Sequence, residues 1–299
     1  MSGIDSPHPV LHVTDKKYEK DDHISGARCR GKFGQESMAS MYEPRGSRKQ
    51  AKSLGEDFQN LTRPSPRNRS PGNQILAALP SAEYRRLRSY LRLVPLKRGK
   101  VLWEPNQRIE SVHFPNSGII SLVAVMVNGE TVEVGMTGRE GFVGTPVLLG
   151  VQSAPFRAVV TIGGDAFQIQ SDVLCKILPV TPRLEGMMHR YVHVHTMQAA
   201  QSAACNCLHK IGDRLSCLLA ICRDTAGSDS LPFTHEILAE MLGCRRSSVT
   251  AEIHSLESAG AIRCKRGRVH VVNRGVLEGR ACECYETVRR LSQPLHVPD

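Results

Sequence analysis

The chain has 299 residues, with 39 Lys plus Arg against 29 Asp plus Glu, giving a formal net charge of +10. That length suits about two domains, and the positive balance suits a polyanionic partner, either nucleic acid or an anionic membrane surface. No apolar run reaches the ~18 residues of a membrane span, Met1 to Lys20 has no apolar signal-peptide centre, and G-x-S-x-G, Walker and H-E-x-x-H motifs are missing, which together predict a cytoplasmic protein that is not an enzyme.

Residues 1–72 carry charge clusters (Lys16-Lys17, Asp21-Asp22, Arg48-Lys49) and the run Arg63-Pro64-Ser65-Pro66-Arg67-Asn68-Arg69-Ser70-Pro71, with no apolar periodicity. Such a segment buries too little apolar surface to offset its ordering entropy, so it reads as a disordered basic N-terminal tail. From Asn73 onward Ile75, Leu76, Leu79, Tyr84, Leu87 and Leu91 fit a short helical segment, with Pro80-Ser81 opening a second turn. Short strands are then predicted over 101–103, 112–114, 119–127, 131–136, 157–162 and 166–169, each bounded by Gly, Pro or Asn. Asn128-Gly129 reads as a type I′ hairpin, which needs positive φ at both central positions, and Gly163-Gly164 reads as another tight hairpin. Evenly spaced short strands with glycine turns point to a β-barrel or jelly roll over 73–180.

Pro182 opens a long helix reaching toward Ile211. Leu184, Met188, Tyr191, His195, Gln198, Ser202 and Cys205 recur in steps of four and three, a heptad-like seam that predicts a dimerisation helix over 181–210. His189 and His193 have the i, i+4 spacing of a metal pair, and with His195 they read as surface or interface residues. A second helical segment carries Leu208, Ile211, Leu215, Leu218, Leu219 and Cys222. The ten cysteines include two C-x-C pairs, Cys205/Cys207 and Cys282/Cys284, and no C-x-x-C. Positions i and i+2 do not share a helix face, so the cysteines read as reduced thiols without a metal.

The stretch from Leu231 to Asn273 carries the function. Thr234 is a plausible N-cap, and Ile237, Leu238, Met241 and Leu242 form an apolar helix face that ends at Gly243. A second helix follows from about Arg245 to Ser258, with Val249, Ile253 and Leu256 inward and Ser247, Thr250, Ala251, His254 and Ser258 on the opposite face. Arg245 and Arg246 sit at its start, where the helix dipole disfavours cations. A negative partner, phosphate or the edge of guanine, would remove the conflict. Ala261 to Arg268 and then Val269 to Val272 read as a hairpin with a basic tip at Gly267, and a two-helix unit followed by such a hairpin is a winged helix-turn-helix.

Over residues 73–285 the chain resembles the Crp/Fnr family of bacterial regulators. The resemblance rests on Phe233-Thr234, Leu238-Ala239, Leu242-Gly243, Arg246, Ser248-Val249-Thr250, Leu256, Gly260 and Ile262. In the β region it rests on Phe114-Pro115-x-Ser117-Gly118 and on Gly138-Arg139-Glu140-Gly141-Phe142-Val143-Gly144. It implies an α+β architecture: a tail (1–72), a cyclic-nucleotide-binding-like β-roll or jelly roll (73–180), the dimer helix, a winged helix-turn-helix (211–285) and a C-terminal tail (286–299). It also implies a homodimer acting on double-stranded DNA, with RNA polymerase as a further candidate partner. The DNA-contacting residues are then Thr234, Arg245, Arg246, Ser247, Ser248, Thr250, His254, Lys265, Arg266 and Arg268.

The pattern departs from the family at its effector pocket. Cyclic-AMP-binding members carry Gly-Glu and a later Arg-Ser, whereas this chain has Gly144-Thr145 and, in register, Pro155-Phe156, with Arg157 two residues late. On a strand that shift moves a side chain by about 6–7 Å, so Gly144, Thr145 and Arg157 form at most a weak effector site. The effector is unassigned, and neither an iron–sulfur cofactor nor haem is expected. On the reading helix Ser247 and Ala251 replace the family's Glu and later Arg, which points to a different operator. The competing expectation is a β-roll sensor that works through protein–protein contacts, with its winged helix as docking surface.

Overall fold

The structure, a computed structural model, describes residues 71–292. The tail expected over 1–72 lies outside them apart from Pro71 and Gly72. Two short helices, α1 (Gln74–Ala77) and α2 (Ser81–Arg88), open the described chain. Buried Asn73 caps α1 by accepting from Leu76 N at 3.2 Å, while its amide donates to Pro115 O at 2.9 Å and Gly141 O at 2.8 Å. One side chain thereby satisfies three buried backbone groups.

Strands β1 (Arg92–Leu96), β2 (Val101–Trp103), β3 (Ser111–Val125), β4 (Thr131–Thr137) and β5 (Arg157–Gln170) form one antiparallel sheet in the order β1-β5-β3-β4, with β2 also on β5. They roll around Phe114, Ile120, Phe142, Val160, Phe167 and Ile169, as the β-roll reading expects. Strand β1 is absent from that reading because Pro95 interrupts a strand-like pattern; here it pairs with Asp165.

Three local expectations are corrected. The segments 112–114 and 119–127 are one strand, β3, and 157–162 and 166–169 are one strand, β5. Gly163-Gly164 is therefore not a hairpin. It marks where β5 runs closest to its neighbours: a Cβ on Gly164 would overlap the Ser117 carbonyl, and one on Gly163 would lie 3.2 Å from Leu96 O. At the same level the register of β3 on β5 slips between Pro115 and Ser117 and again before Ile119, with Gly118 at φ +82°. The glycines serve a bulge rather than a turn. In the β3–β4 hairpin only Gly129 has positive φ (+85°), so the turn is not type I′. Gly129 N donates to Met126 O at 2.9 Å and Met126 N to Glu130 O at 2.8 Å, the wider hairpin closed by a left-handed glycine.

Helices α3 (Thr145–Leu148) and α4 (Ser171–Ile177) and a 3-10 turn (Leu178–Val180) lead to α5 (Pro182–Leu208). Leu184, Met188 and Tyr191 are buried in the β-roll's own core. The upper part of the heptad-like seam is thus intramolecular, since a 3/4 repeat marks any buried helix face and the roll covers this one. The exposed side of α5 carries Arg190, His193, Met197, Ala200, Ala204 and Cys207.

Beyond α5 come α6 (Ile211–Ala226), β6 (Ser230–Leu231), α7 (His235–Leu242), α8 (Arg246–Ser258), β7 (Ile262–Lys265), β8 (Arg268–Val271), α9 (Arg274–Gly279) and α10 (Cys284–Ser292). The small sheet runs β6-β8-β7. Leu215, Leu219, Phe233, Leu238, Val249, Ile253 and Val269 form a second core, joined by Ile119 of the roll. The expected tail over 286–299 is corrected as far as Ser292, which ends α10; this helix lies against α5 and α6 with Tyr285 and Val288 buried. Glu286 pairs with Arg289 and Arg290 at i+3 and i+4, which supports the short helix and places cations at its C-terminal end.

Candidate nucleic-acid interface

Helix α7 starts at Thr234, whose hydroxyl accepts from Ile237 N at 3.3 Å, as expected of an N-cap. It stops at Gly243 (φ +61°), and Cys244 N reaches back to Ala239 O at 3.0 Å. Arg214 of α6 donates to Leu242 O at 2.6 Å, tying α6 to the carboxyl end of α7. Val249, Ile253 and Leu256 bury one face of α8. The opposite face leaves Arg246, Ser247, Ala251, His254 and Ser258 exposed, with Arg245 exposed at the N-cap.

Arg246 projects with two-thirds of its side chain exposed (66%), and its Nε lies 2.8 Å from Glu236 Oε1. The Glu236 carboxyl is held below its usual range, first by its own backbone N–H and then by Arg246. This answers the conflict read from the sequence: a carboxylate on α7 already faces the misplaced cation. An exposed pair of this kind contributes little, so another anion could take the place of Glu236. Ser248 and Thr250 are only half-exposed. The Thr250 hydroxyl donates to Arg246 O at 3.0 Å and lies 2.9 Å from His235 Nδ1.

The β7–β8 hairpin presents Lys265, Arg266 and Arg268, all exposed, on a two-residue turn. Arg266 (φ +49°) and Gly267 (φ +70°) are both left-handed, so the type I′ turn that sequence reading assigned to residues 128–129 occurs here. Arg268 is drawn sideways, its Nε donating to Ser230 Oγ at 2.9 Å and its Nη2 to Ser230 O at 3.0 Å. Two further exposed cations went unread. Arg263 lies on β7, and Arg280 donates to Ser255 Oγ of α8 at 2.9 Å. Arg280 lies beyond the hairpin in sequence, and only the fold brings it beside α8.

None of the three effector-site candidates lines the main cavity described below. Gly144 (φ +117°) and Thr145 begin α3, and the Arg157 Nε is paired with Glu104 Oε2 at 2.8 Å. A cavity of about 590 Å3 lies elsewhere, lined from β4, α5, α6 and α10 by residues that include Glu133, His195, Gln198, Ile221 and Tyr285. Ser121 Oγ donates to Glu133 Oε2 at 2.5 Å, yet burial pushes the Glu133 carboxyl up to about 7. Burial lowers His195 and raises Glu140, which accepts from Gly138 N at 2.7 Å.

A carboxyl raised from 4.5 to about 7 keeps its proton in the folded chain while the unfolded chain releases it. Folding stability therefore falls as pH rises through that window, and the loss is complete above it. Glu133→Gln removes the ionisation. It is expected to raise unfolding stability by about 2 kcal/mol near pH 8 and to leave it unchanged near pH 4. Urea titrations of both proteins at the two pH values check this.

The helix-turn-helix matches the family described as the Crp-like helix-turn-helix domain over residues 214–280. The global nitrogen regulator of Synechococcus elongatus is 25% identical over 192 residues, covering 61% of this chain and 86% of that protein. The fold also matches two solved regulators. One is the c-di-GMP responsive global regulator CLP of Xanthomonas campestris, with a TM-score of 0.55 at 14% identity, covering 65% of this chain and 100% of the other. The second is a CRP-family transcriptional regulator from Thermus thermophilus, with a TM-score of 0.53 at 16% identity, covering 63% and 96%. Taken with the exposed Arg246 of α8 and the basic wing, these matches show a transcription regulator with a Crp-like helix-turn-helix DNA-binding domain.

Proposed function

We propose that the protein is a cytoplasmic homodimer that reads a two-fold symmetric duplex operator with α8. Arg246 is the main base reader, Ser247, Ser248, Thr250 and His254 are lesser ones, and Arg245, Lys265, Arg266 and Arg268 hold phosphates, with Thr234 beside the backbone. The observation that carries this reading is the solvent-facing Arg246 beside a basic hairpin, held by an exposed carboxylate. The exposed, partly small-residue side of α5 at Met197, Ala200 and Ala204 is the face on which a second copy packs, in place of the seam read from the sequence. RNA polymerase is a further partner of such a regulator.

The β-roll does not take cyclic nucleotides in the usual way. A buried cyclic phosphate needs a cation, and Pro155-Phe156 stand where the cyclic-AMP-binding members carry Arg-Ser. Calorimetric titration with cyclic AMP and cyclic GMP is expected to give no sub-micromolar binding. Selection of bound duplexes from a random DNA pool tests the whole proposal: a palindromic consensus with half-sites about one helical turn apart supports it, and a pool that does not converge refutes it.

Wing cations contribute through phosphates and carry no sequence information. Lys265→Ala is therefore expected to weaken binding alike on selected and unselected DNA, and to lower the slope of log affinity against log salt by about 1. A fluorescence-anisotropy salt series on both DNAs measures it.

A further inference from the structure

We propose that Cys205, His209, Cys282 and Cys284 form a zinc-binding site that fastens the end of α5 to the start of α10. Their ligand atoms all lie within 4.8 Å of one another. Cys205 Sγ and Cys282 Sγ are 3.5 Å apart, and Cys284 Sγ is 3.5 Å from His209 Nδ1. With Zn–S near 2.3 Å and Zn–N near 2.0–2.1 Å, the edges of a tetrahedron are about 3.8 Å for S–S and about 3.6 Å for S–N. Two edges thus already have close to the length a tetrahedral ion requires, and small side-chain rotations close the others.

The three cysteines belong to the second core, and two polar groups reach them there as they would reach metal ligands. His209 Nε2 lies 3.2 Å from Glu283 Oε1. With Nε2–H donating to that carboxylate, the tautomer is fixed and Nδ1 keeps its lone pair for a metal, the usual arrangement behind a metal-bound histidine. Gln201 Nε2 donates to Cys284 Sγ at 3.1 Å, as amides do to ligating sulfur. All three cysteines are buried, at 7%, 8% and 2% exposure, so four protein ligands close the site and leave no open position. A closed Cys3His set marks structural zinc, and its soft sulfurs disfavour magnesium and calcium.

The placement gives the ion a mechanical role. Cys205 is in the last turn of α5, His209 is its C-cap, Cys282 lies between α9 and α10, and Cys284 opens α10. The chain passes from α5 to α6 through two extended residues, His209 (φ −107°, ψ 150°) and Lys210 (φ −70°, ψ 157°). An ion held from both sides of that joint fixes the angle between the long helix and the DNA-binding unit. This inference stands independently of which bases α8 reads.

The test uses the full chain, purified without a polyhistidine tag under reducing conditions. Elemental mass spectrometry is expected to find one zinc per chain. It should be lost in Cys282→Ser and His209→Ala, kept in Cys175→Ser, and bound about 10–100-fold more weakly in Glu283→Gln. Cobalt titrated into the metal-stripped wild type is expected to give the intense visible bands of a tetrahedral ion together with sulfur-to-cobalt charge transfer. This measurement does not depend on any variant folding. Cobalt spectra without those bands, equal zinc in wild type and Cys282→Ser, or iron with acid-labile sulfide at these residues would each overturn the zinc assignment.

Discussion

Replacing Arg246 with Ala is expected to weaken binding to the selected operator by about 1–3 kcal/mol, a loss of roughly 5–150-fold, while non-specific binding changes far less. The expectation follows from position. Arg246 opens the exposed face of α8, two-thirds of its side chain is in solvent, and the carboxylate it meets, Glu236, is itself exposed. Selection with the variant should also relax base preference where the wild type requires guanine. Glu236→Gln supplies the converse: with the competing carboxylate gone, operator affinity is expected to rise, by less than about fivefold because exposed pairs are weak. Electrophoretic and anisotropy titrations read both effects. Equal operator affinity in wild type and Arg246→Ala would remove Arg246 from the interface.

Gly141→Ala is expected to be the most damaging of the small substitutions, costing about 3 kcal/mol or more. The added methyl would fall inside the ring of Tyr191. That ring has nowhere to go: it is 1% exposed, its hydroxyl is 2.7 Å from Thr137 Oγ1, and its centroid lies 5.3 Å from Phe142 and 5.8 Å from His195. Gly141 O also accepts from the Asn73 amide, so a shift of this backbone would strip a buried hydrogen bond from the residue that caps α1. Chemical denaturation of Gly141→Ala, Tyr191→Leu and the double variant provides a cycle. The double variant is expected to lose clearly less stability than the sum of the two single changes, because the smaller side chain makes room for the methyl. Additive losses would mean that the two groups do not collide.

The C-terminal unit was legible because its signals are local. Thr234 caps α7, Gly243 turns the chain, and Val249, Ile253 and Leu256 repeat at the helical period; each holds its expected place. The β-roll was legible only as a class. Its long strands were cut at Pro115 and at Gly163-Gly164, where bulges and close backbone approach call for residues that elsewhere make turns. The direction of the α5 seam was hidden for another reason: periodicity says that a face is covered, and only the fold says by what. Cys205 and Cys282 are separated by 77 residues, and their C-x-C pairs resemble no metal spacing, so only the meeting of α5 with the α9–α10 joint brings them into reach.

The tie between Thr250 and the backbone limits what this side chain can recognise. A threonine hydroxyl has one hydrogen to give, and here it goes to Arg246 O, with His235 Nδ1 2.9 Å away. What remains can only accept. A nucleobase meeting Thr250 directly must bring its own proton, which favours the exocyclic amino groups of adenine and cytosine over the carbonyl edges of guanine and thymine. In this respect the discrimination is decided inside the protein, by where one proton rests, before any duplex arrives.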